Sequence, residues 1–403
     1  MKQYINQCSV YILLWGIYYL QGTLYPTGGV ISQGVLAFIM LMSIYYFVRV
    51  NIAYKLPSFL KVLNLFLAVM TIYGVVFMFD PTPIVFDNIL SQKVNKLEYL
   101  KTLYMSLLPI YAMFYFVKKN ILTESFIRIF TLFWLFIKIV GYIRYEQELQ
   151  LLLLENGYAD DVEITNNIAY EFVYLFPLLF LWGRKPLFQY MFTAVIFAFI
   201  LSGMKRGAII IGAVCLIWFL YMSIINSRGR QRSVIVFSTI ILLVVGAYYV
   251  MDLYEASPYF QYRVKETLEG HSSGRDVIYS SLWQHYVDDM SLQHFLLGNG
   301  VFYTVNIAGN FAHNDWLELL INQGLLGVLI YVAYFITLLR SVYLSRKNNM
   351  TYGILSMIFV IMLASSIFSM SYSSLGLPIA VGLGYCLSKP LTQSAYEKNN
   401  LSY

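Results

Sequence analysis

The chain has 403 residues, of which 59% are hydrophobic and only 12% carry a charge, and its formal net charge is +6. Soluble globular proteins are about 25% charged, so this composition excludes that class. We predict an all-α polytopic membrane protein.

Windows of about 20 apolar residues, the length that crosses roughly 30 Å of hydrocarbon, recur along nearly the whole chain. They predict about twelve membrane-spanning helices within a single integral membrane domain over residues 1–403. The last two ranges are also compatible with one merged or re-entrant segment. The approximate ranges are 9–24, 30–49, 59–79, 102–117, 121–143, 166–182, 187–203, 207–226, 233–251, 316–340, 351–370 and 373–388.

The distribution of charge predicts how the chain is oriented. With the amino terminus inside, the inner connections are basic and the outer ones are acidic, which is the positive-inside pattern, and both termini are cytoplasmic. The inner connections are too short to form a nucleotide-binding domain, so we expect any chemistry on the outer face. The inner basic residues are Arg49, Lys55, Lys61, Lys118, Lys119, Arg184, Lys185, Arg228, Arg230, Arg232, Arg340, Arg346 and Lys347, and one outer acidic loop holds Glu146, Glu148, Glu155, Asp160, Asp161 and Glu163.

The longest connection, residues 252–314, lies between the ninth and tenth predicted spans. We interpret it as a large periplasmic loop with short helices, one of them amphipathic, in "GRDVIYSSLWQHYVDDM". The chain has no evident internal repeat, and this late, unpaired loop does not fit a transporter built from two equivalent halves.

A polar tetrad precedes the tenth span in "AHNDWLELLINQGLLG". Asp315 and Glu318 have the spacing of a capping box, which places His313 and Asn314 just before the helix. The positive end of the helix dipole favours a neutral imidazole that can accept a proton, and it also attracts anions such as phosphate. The alternative is that His313 and Asn314 are only polar residues at the membrane surface.

A second basic feature is the turn "SGMKRGA", in which Lys205 and Arg206 lie between two spans. By alternation this turn is on the outer face, against the positive-inside trend, and charges placed so are often functional. A guanidinium matches the oxygens of a phosphate. The alternative is that both side chains reach lipid headgroups.

In the long loop, Arg275 opens the predicted amphipathic helix, and Arg263 and Lys265 precede it. Together with Arg206, these side chains could surround a diphosphate, although Arg263 and Lys265 are also compatible with ordinary loop residues.

Two further groups have less definite roles. His271, His285 and His294 with Asp288 and Asp289 could be imagined as a metal site, but their spacing is not that of a metal-binding motif, and we predict no metal and no cofactor. Lys138 and Glu171, inside predicted spans, either form a buried ion pair or face a polar cavity.

Several of these motifs resemble the bacterial O-antigen polymerase and O-antigen ligase superfamily. The resemblance covers about residues 200–335 and is accompanied by the position of the long loop. Its elements are His313 and Asn314 followed after nine residues by "GLLG" (Gly324, Gly327), the helix-opening Arg275 with Trp283, "LLGNG", and the "SGMKRGA" turn. One departure is Lys205, where small residues are common in the family.

The resemblance implies an enzyme of the bacterial inner membrane that takes a glycan from undecaprenyl diphosphate without nucleotide or metal. It implies that Arg206 and Arg275 hold the diphosphate and that His313 activates the acceptor hydroxyl.

We expect a polymerase of lipid-linked repeat units, as in O-antigen or capsule, with a flippase and a chain-length regulator as possible partners and no nucleic acid. The alternatives are an O-antigen ligase that transfers the glycan to lipid A core and a flippase or other transporter of lipid-linked oligosaccharides.

Overall fold

A computed structural model describes residues 6–80, 84, 95–156, 166–183, 185–269, 274–289 and 291–389. The regular structure of these residues is helical. A 3₁₀-helix, Phe176–Trp182, follows α7, and a π-helix, His285–Asp289, follows α12. The α-helices are α1 Asn6–Tyr19, α2 Val30–Ala53, α3 Ser58–Phe79, α4 Lys96–Leu107, α5 Pro109–Lys118, α6 Glu124–Asn156, α7 Ala169–Val173, α8 Pro186–Ser202, α9 Arg206–Ile225, α10 Gly229–Ala256, α11 Pro258–Leu268, α12 Arg275–Gln284, α13 Leu292–Leu297, α14 Tyr303–Ala308, α15 Asp315–Ser345, α16 Asn349–Phe368 and α17 Leu377–Leu387.

Within the described part of the chain, eight helices are long and apolar enough to cross a membrane: α2, α3, α4 together with α5, α6, α9, α10, α15 and α16. The multi-pass membrane class is therefore confirmed. The other four predicted ranges coincide with shorter helices, namely α1, the segment Ala169–Trp182, α8 and α17.

Helix α6 is longer than its predicted range of 121–143. It continues to Asn156, so Glu146 and Glu148 lie on a helix and not in a loop as predicted, and the Arg144 Nε atom is 3.2 Å from Glu148 Oε1. A helix of 33 residues is about 50 Å long, which exceeds the thickness of the hydrocarbon. Asp160, Asp161, Glu163 and Arg184, which also entered the charge pattern, lie outside the described residues.

Two other predicted spans are also irregular. The range 166–182 is divided into α7 and the 3₁₀-helix, in which Pro177 occupies an early position. The range 373–388 contains only α17, whose eleven residues are all buried and which packs against α5 and α16. Eleven residues rise about 16 Å, so α17 covers about half of the hydrocarbon.

The most consequential irregularity is in α15, where Gly324 has φ 65° and ψ −161°. In a straight helix, Tyr331 would lie about 24 Å along the axis from Asp315. The Tyr331 hydroxyl is instead 2.6 Å from Asp315 Oδ2, and the rings of Trp316 and Phe335 are 5.7 Å apart. The continuous span predicted over 316–340 is therefore wrong: residues 315–323 fold back against a second segment, 325–345.

A small core next to this bend is separate from the main core between the long helices. It contains Leu282 and Tyr286 from the region of α12, Ala312, and Ile321 from the first segment of α15. The helix predicted in "GRDVIYSSLWQHYVDDM" is thus present as α12 and the π-helix, and its apolar side packs beside His313.

Candidate functional site

Residues from separate predicted motifs meet at the C-terminal end of α16. Arg275 Nη1 donates a hydrogen bond to the Phe368 carbonyl oxygen at 2.9 Å, and Asn314 Nδ2 donates to the Ile367 carbonyl oxygen at 3.2 Å. The last carbonyls of a helix have no partner within the helix, and its C-terminal end attracts cations. The end of α16 thus holds the guanidinium of Arg275 close to the residue that follows His313.

The turn that carries Lys205 and Arg206 reaches the same place. It contains only residues 203–205, which confirms the short connection predicted there, and Arg206 is the first residue of α9. A Cβ atom on the next residue, Gly207, would lie 3.5 Å from the Phe368 carbonyl oxygen. The start of α9 therefore lies near the carbonyl that binds Arg275. Both basic side chains are half-buried.

His313 lies in a strained turn directly before α15. Its φ is 51°, in the left-handed region that side chains other than glycine rarely adopt. Met204, next to Lys205, has the same φ, and Phe302, after "LLGNG", has φ 62°. Such strain persists only where the surroundings impose it, and it is concentrated at functional sites.

The backbone on both sides of His313 is fixed by hydrogen bonds. The Ala312 amide donates to Glu318 Oε2 at 2.9 Å, and Asn314 Oδ1 accepts from the amides of Trp316 and Leu317 at 3.0 and 3.2 Å. Asn314 is therefore the N-cap of α15. The predicted capping box on Asp315 is wrong, because the helix starts one residue earlier than that motif requires.

Asp315 is a buried anchor, and its side-chain partners are distant in sequence. Its carboxylate accepts from the Ser371 amide at 3.0 Å, from the Ser371 hydroxyl at 2.6 Å and from the Tyr331 hydroxyl at 2.6 Å. The carboxylate thereby attaches the start of α15 to the segment between α16 and α17.

Glu318 is the second buried anchor. Besides the Ala312 amide, it accepts hydrogen bonds from the Thr304 hydroxyl at 2.7 Å and from Asn322 Nδ2 at 2.8 Å. Glu318 thus joins α14, the His313 turn and α15. Together the two carboxylates position the turn.

The bend at Gly324 is filled by the "LLGNG" segment. A Cβ atom on Gly324 would lie 2.5 Å from the Gly298 nitrogen. The amides of Asn299 and Gly300 donate to the carbonyl oxygens of Ile321 and Asn322 at 3.0 and 2.9 Å. The packing partners of Gly324 are thus backbone atoms of this loop and of the end of α13, since the same Cβ atom would lie 2.6 Å from the Leu296 carbonyl carbon.

The remaining predicted groups contribute less to this arrangement. The Arg263 side chain and His271 lie outside the described positions. Lys265 is exposed, and its Nζ is 3.8 Å from Glu269 Oε1, as expected of an ordinary surface residue. Among the described residues there is no group of three His, Cys, Asp or Glu side chains that could hold a metal ion, so the alternative metal site has no support there.

Lys138 and Glu171, for which two interpretations were open, form an ion pair. Lys138 Nζ is 3.2 Å from Glu171 Oε2 and 3.3 Å from the centroid of the Tyr19 ring, and the lysine side chain is 4% exposed. A lysine at this depth is tolerated because it is paired and covered by aromatic rings.

Comparison with known proteins assigns no family to this arrangement. No protein-family model matches the chain, and no curated protein matches it significantly. The site itself combines a guanidinium fixed by a helix end, a second cationic turn near the same carbonyl, and an imidazole in a strained turn with both flanks fixed.

Proposed function

We propose that the chain is a glycosyltransferase that uses a polyprenyl-diphosphate-linked glycan as donor, and that it polymerises lipid-linked repeat units. The observation that carries the proposal is the meeting of three motifs at the end of α16. Arg275 and Asn314 bind adjacent carbonyls there, and Gly207, next to Arg206, lies near one of them, since a Cβ atom on it would be 3.5 Å from the Phe368 carbonyl oxygen.

The proposed roles follow from the charge that develops in the reaction. The bond between the anomeric carbon and the diphosphate oxygen breaks as the acceptor hydroxyl attacks, and the electron pair leaves with the diphosphate. Arg275 and Arg206 stabilise this negative charge, and Lys205 and Arg263 contribute a weaker field. Fixed cations are effective here because they need no reorganisation as charge develops.

His313 is the proposed general base. It removes the proton of the attacking hydroxyl, and attack from the face opposite the diphosphate inverts the anomeric centre. The fixed flanks of His313 support this role, since a general base must be held within hydrogen-bonding reach of one hydroxyl. Asn314, Asp315 and Glu318 position the turn and do not touch the reacting atoms.

We also propose how the chain is arranged in the membrane. The chain crosses the bacterial inner membrane about twelve times with both termini in the cytoplasm, and the segment 252–314 lies on the periplasmic side, where lipid-linked units are used. A flippase that delivers these units and a chain-length regulator are the expected protein partners.

One experiment separates the proposed activity from its rivals. The purified protein is incubated with a synthetic undecaprenyl-diphosphate repeat unit, without metal or nucleotide, and the products are resolved by size. A ladder spaced by one repeat supports the polymerase. Transfer that requires added lipid A core would instead identify a ligase.

Absence of transfer under both conditions, from protein that elutes as a single folded species, would overturn glycosyl transfer. A transport assay with the same lipid would then test the flippase alternative.

A further inference from the structure

Helix α13 exposes an apolar face outside the membrane-spanning helices. Leu292, Phe295 and Leu296 have the i, i+3, i+4 spacing of one helix face, and Leu292 is 76% exposed. His294 points to the opposite side by the same periodicity. Large exposed apolar side chains grouped in this way usually contact a membrane, another protein or a ligand.

The C-terminal end of α13 lies at the level of Tyr73, before α3 reaches its own C-terminal end. The Tyr73 hydroxyl of α3 donates a hydrogen bond to the Leu297 carbonyl oxygen. Tyr73 precedes the last residue of α3, Phe79, by six residues, or about 9 Å. Val76 and Phe79 are apolar and exposed beyond this level, so the lipid-facing surface of α3 continues past α13.

The bend of α15 also limits the depth of this region. Gly298, which follows α13, packs against Gly324, where the segment 325–345 begins. That segment has 21 residues and a length of about 31 Å, close to the full thickness of the hydrocarbon. Gly324 and the end of α13 therefore lie at the boundary between hydrocarbon and headgroups.

The apolar face continues from α13 to α12. The Phe295 ring stacks on Tyr286 with 5.1 Å between centroids, and the Tyr286 ring is 6.0 Å from Trp283, which is 55% exposed. Tryptophan and tyrosine are enriched at membrane surfaces because their rings combine an apolar body with a polar atom.

We propose that the surface formed by Trp283, Leu292, Phe295 and Leu296, called here the interfacial surface, inserts into the boundary between the lipid headgroups and the acyl chains. The molecules that contact this surface are bilayer lipids, because the surface lies at a depth where α3 also exposes apolar side chains. It anchors α12, whose first residue is Arg275, at the level of the headgroups. This inference does not depend on the proposed enzymatic activity.

The depth of Leu296 can be measured by fluorescence quenching in vesicles of phosphatidylethanolamine and phosphatidylglycerol. Cys8, Cys215 and Cys386 are first replaced by alanine, and an environment-sensitive probe is attached to Leu296→Cys. His294→Cys is the matched control on the same helix. Ile217→Cys, exposed in the middle of α9, and Lys119→Cys, exposed in a turn, give the hydrocarbon and water references.

We expect the probe at position 296 to be quenched most by a nitroxide at the headgroup level and to be shielded from iodide in water, while position 294 is more accessible to iodide. Iodide quenching at 296 equal to that at 119 would overturn the proposal. Shielding of position 296 from both quenchers would also overturn it, because a second copy or another part of the chain would then cover the surface.

Discussion

The two segments of α15 belong to one helix in sequence but are held in different ways. In the segment 315–323 every side chain is buried or half-buried, and the buried ones include Asp315, Glu318 and Asn322, which bind the surrounding loops. The segment 325–345 buries mainly apolar and aromatic residues such as Tyr334, and exposes others such as Ile336 along its opposite side.

The difference shows where this protein can place polar chemistry. Lipid-facing backbone must satisfy its own hydrogen bonds, whereas irregular backbone is tolerated where protein covers it. The segment 325–345 faces lipid and stays helical. The segment 315–323 has no exposed side chain, and it can therefore carry a strained histidine turn, two buried carboxylates and a broken helix end.

The substitution with the largest expected effect is Gly324→Ala, which should disrupt the bend between the segments 315–323 and 325–345. The new Cβ would lie 2.5 Å from the Gly298 nitrogen and 2.6 Å from the Leu296 carbonyl carbon, which are backbone atoms that cannot rotate away. We expect destabilisation of more than about 4 kcal/mol and loss of the monodisperse protein in size-exclusion chromatography. Gly246→Ala, on α10 with open space around it, is the control. Normal stability of Gly324→Ala would contradict the bend.

His313→Ala tests the turn that the first segment supports. A general base contributes about 10²–10⁴-fold, so we expect polymer formation to fall by this factor while the protein remains folded in the membrane. The yield and length of polymer are measured against a His294→Ala control. Unchanged polymer in His313→Ala would remove the assigned role.

Arg275→Ala tests the cationic group held by the end of α16. Removal of one fixed donor to developing charge typically costs about 10²–10³-fold in turnover, and we expect Arg206→Ala to act similarly and Arg263→Ala to be milder. Lys347→Ala, an exposed cation at the far end of α15, controls for net charge. The measurement is the transfer rate at saturating donor, and an equal loss in Lys347→Ala would indicate a general charge effect.

Asp315→Asn weakens the anchor of the first segment. The new amide would face donors on Ser371 and Tyr331, so we expect a loss of about 1–3 kcal/mol in unfolding free energy and a lower transfer rate. A double-mutant cycle with Ser371→Ala, read by thermal unfolding, should show coupling between the two positions. Additive effects would mean that this hydrogen bond does not hold the segment.

The smallest effect is expected for Gln323→Met, at the end of the first segment. Both polar atoms of the buried Gln323 amide lack a hydrogen-bond partner among the described residues. Methionine has a similar volume and needs no partner. We therefore expect the free energy of unfolding to increase by about 1 kcal/mol and the melting temperature to rise with it. A lower melting temperature would indicate that the amide is satisfied in the membrane.

The class of protein and the segments that form the site could be predicted from the sequence. The way in which these segments meet could not. Apolar windows located the helices because the period and length of a span are local properties. The bend at Gly324 was not predictable, since a glycine within an apolar helix is equally compatible with close packing. The partners of Asp315 were not predictable either: Ser371 is 56 residues away. The Ile367 and Phe368 carbonyls, where the motifs meet, carry no side-chain signal at all.

The central claim is that the residues around the end of α16 transfer a glycan from a lipid diphosphate. The most direct test is the rate at which undecaprenyl diphosphate is released from a synthetic repeat unit by the purified wild-type protein, His313→Ala and His294→Ala. We expect release by wild type and His294→Ala at similar rates, and release at least about 100-fold slower by His313→Ala. Equal rates for all three, or no release by the wild type, would contradict it.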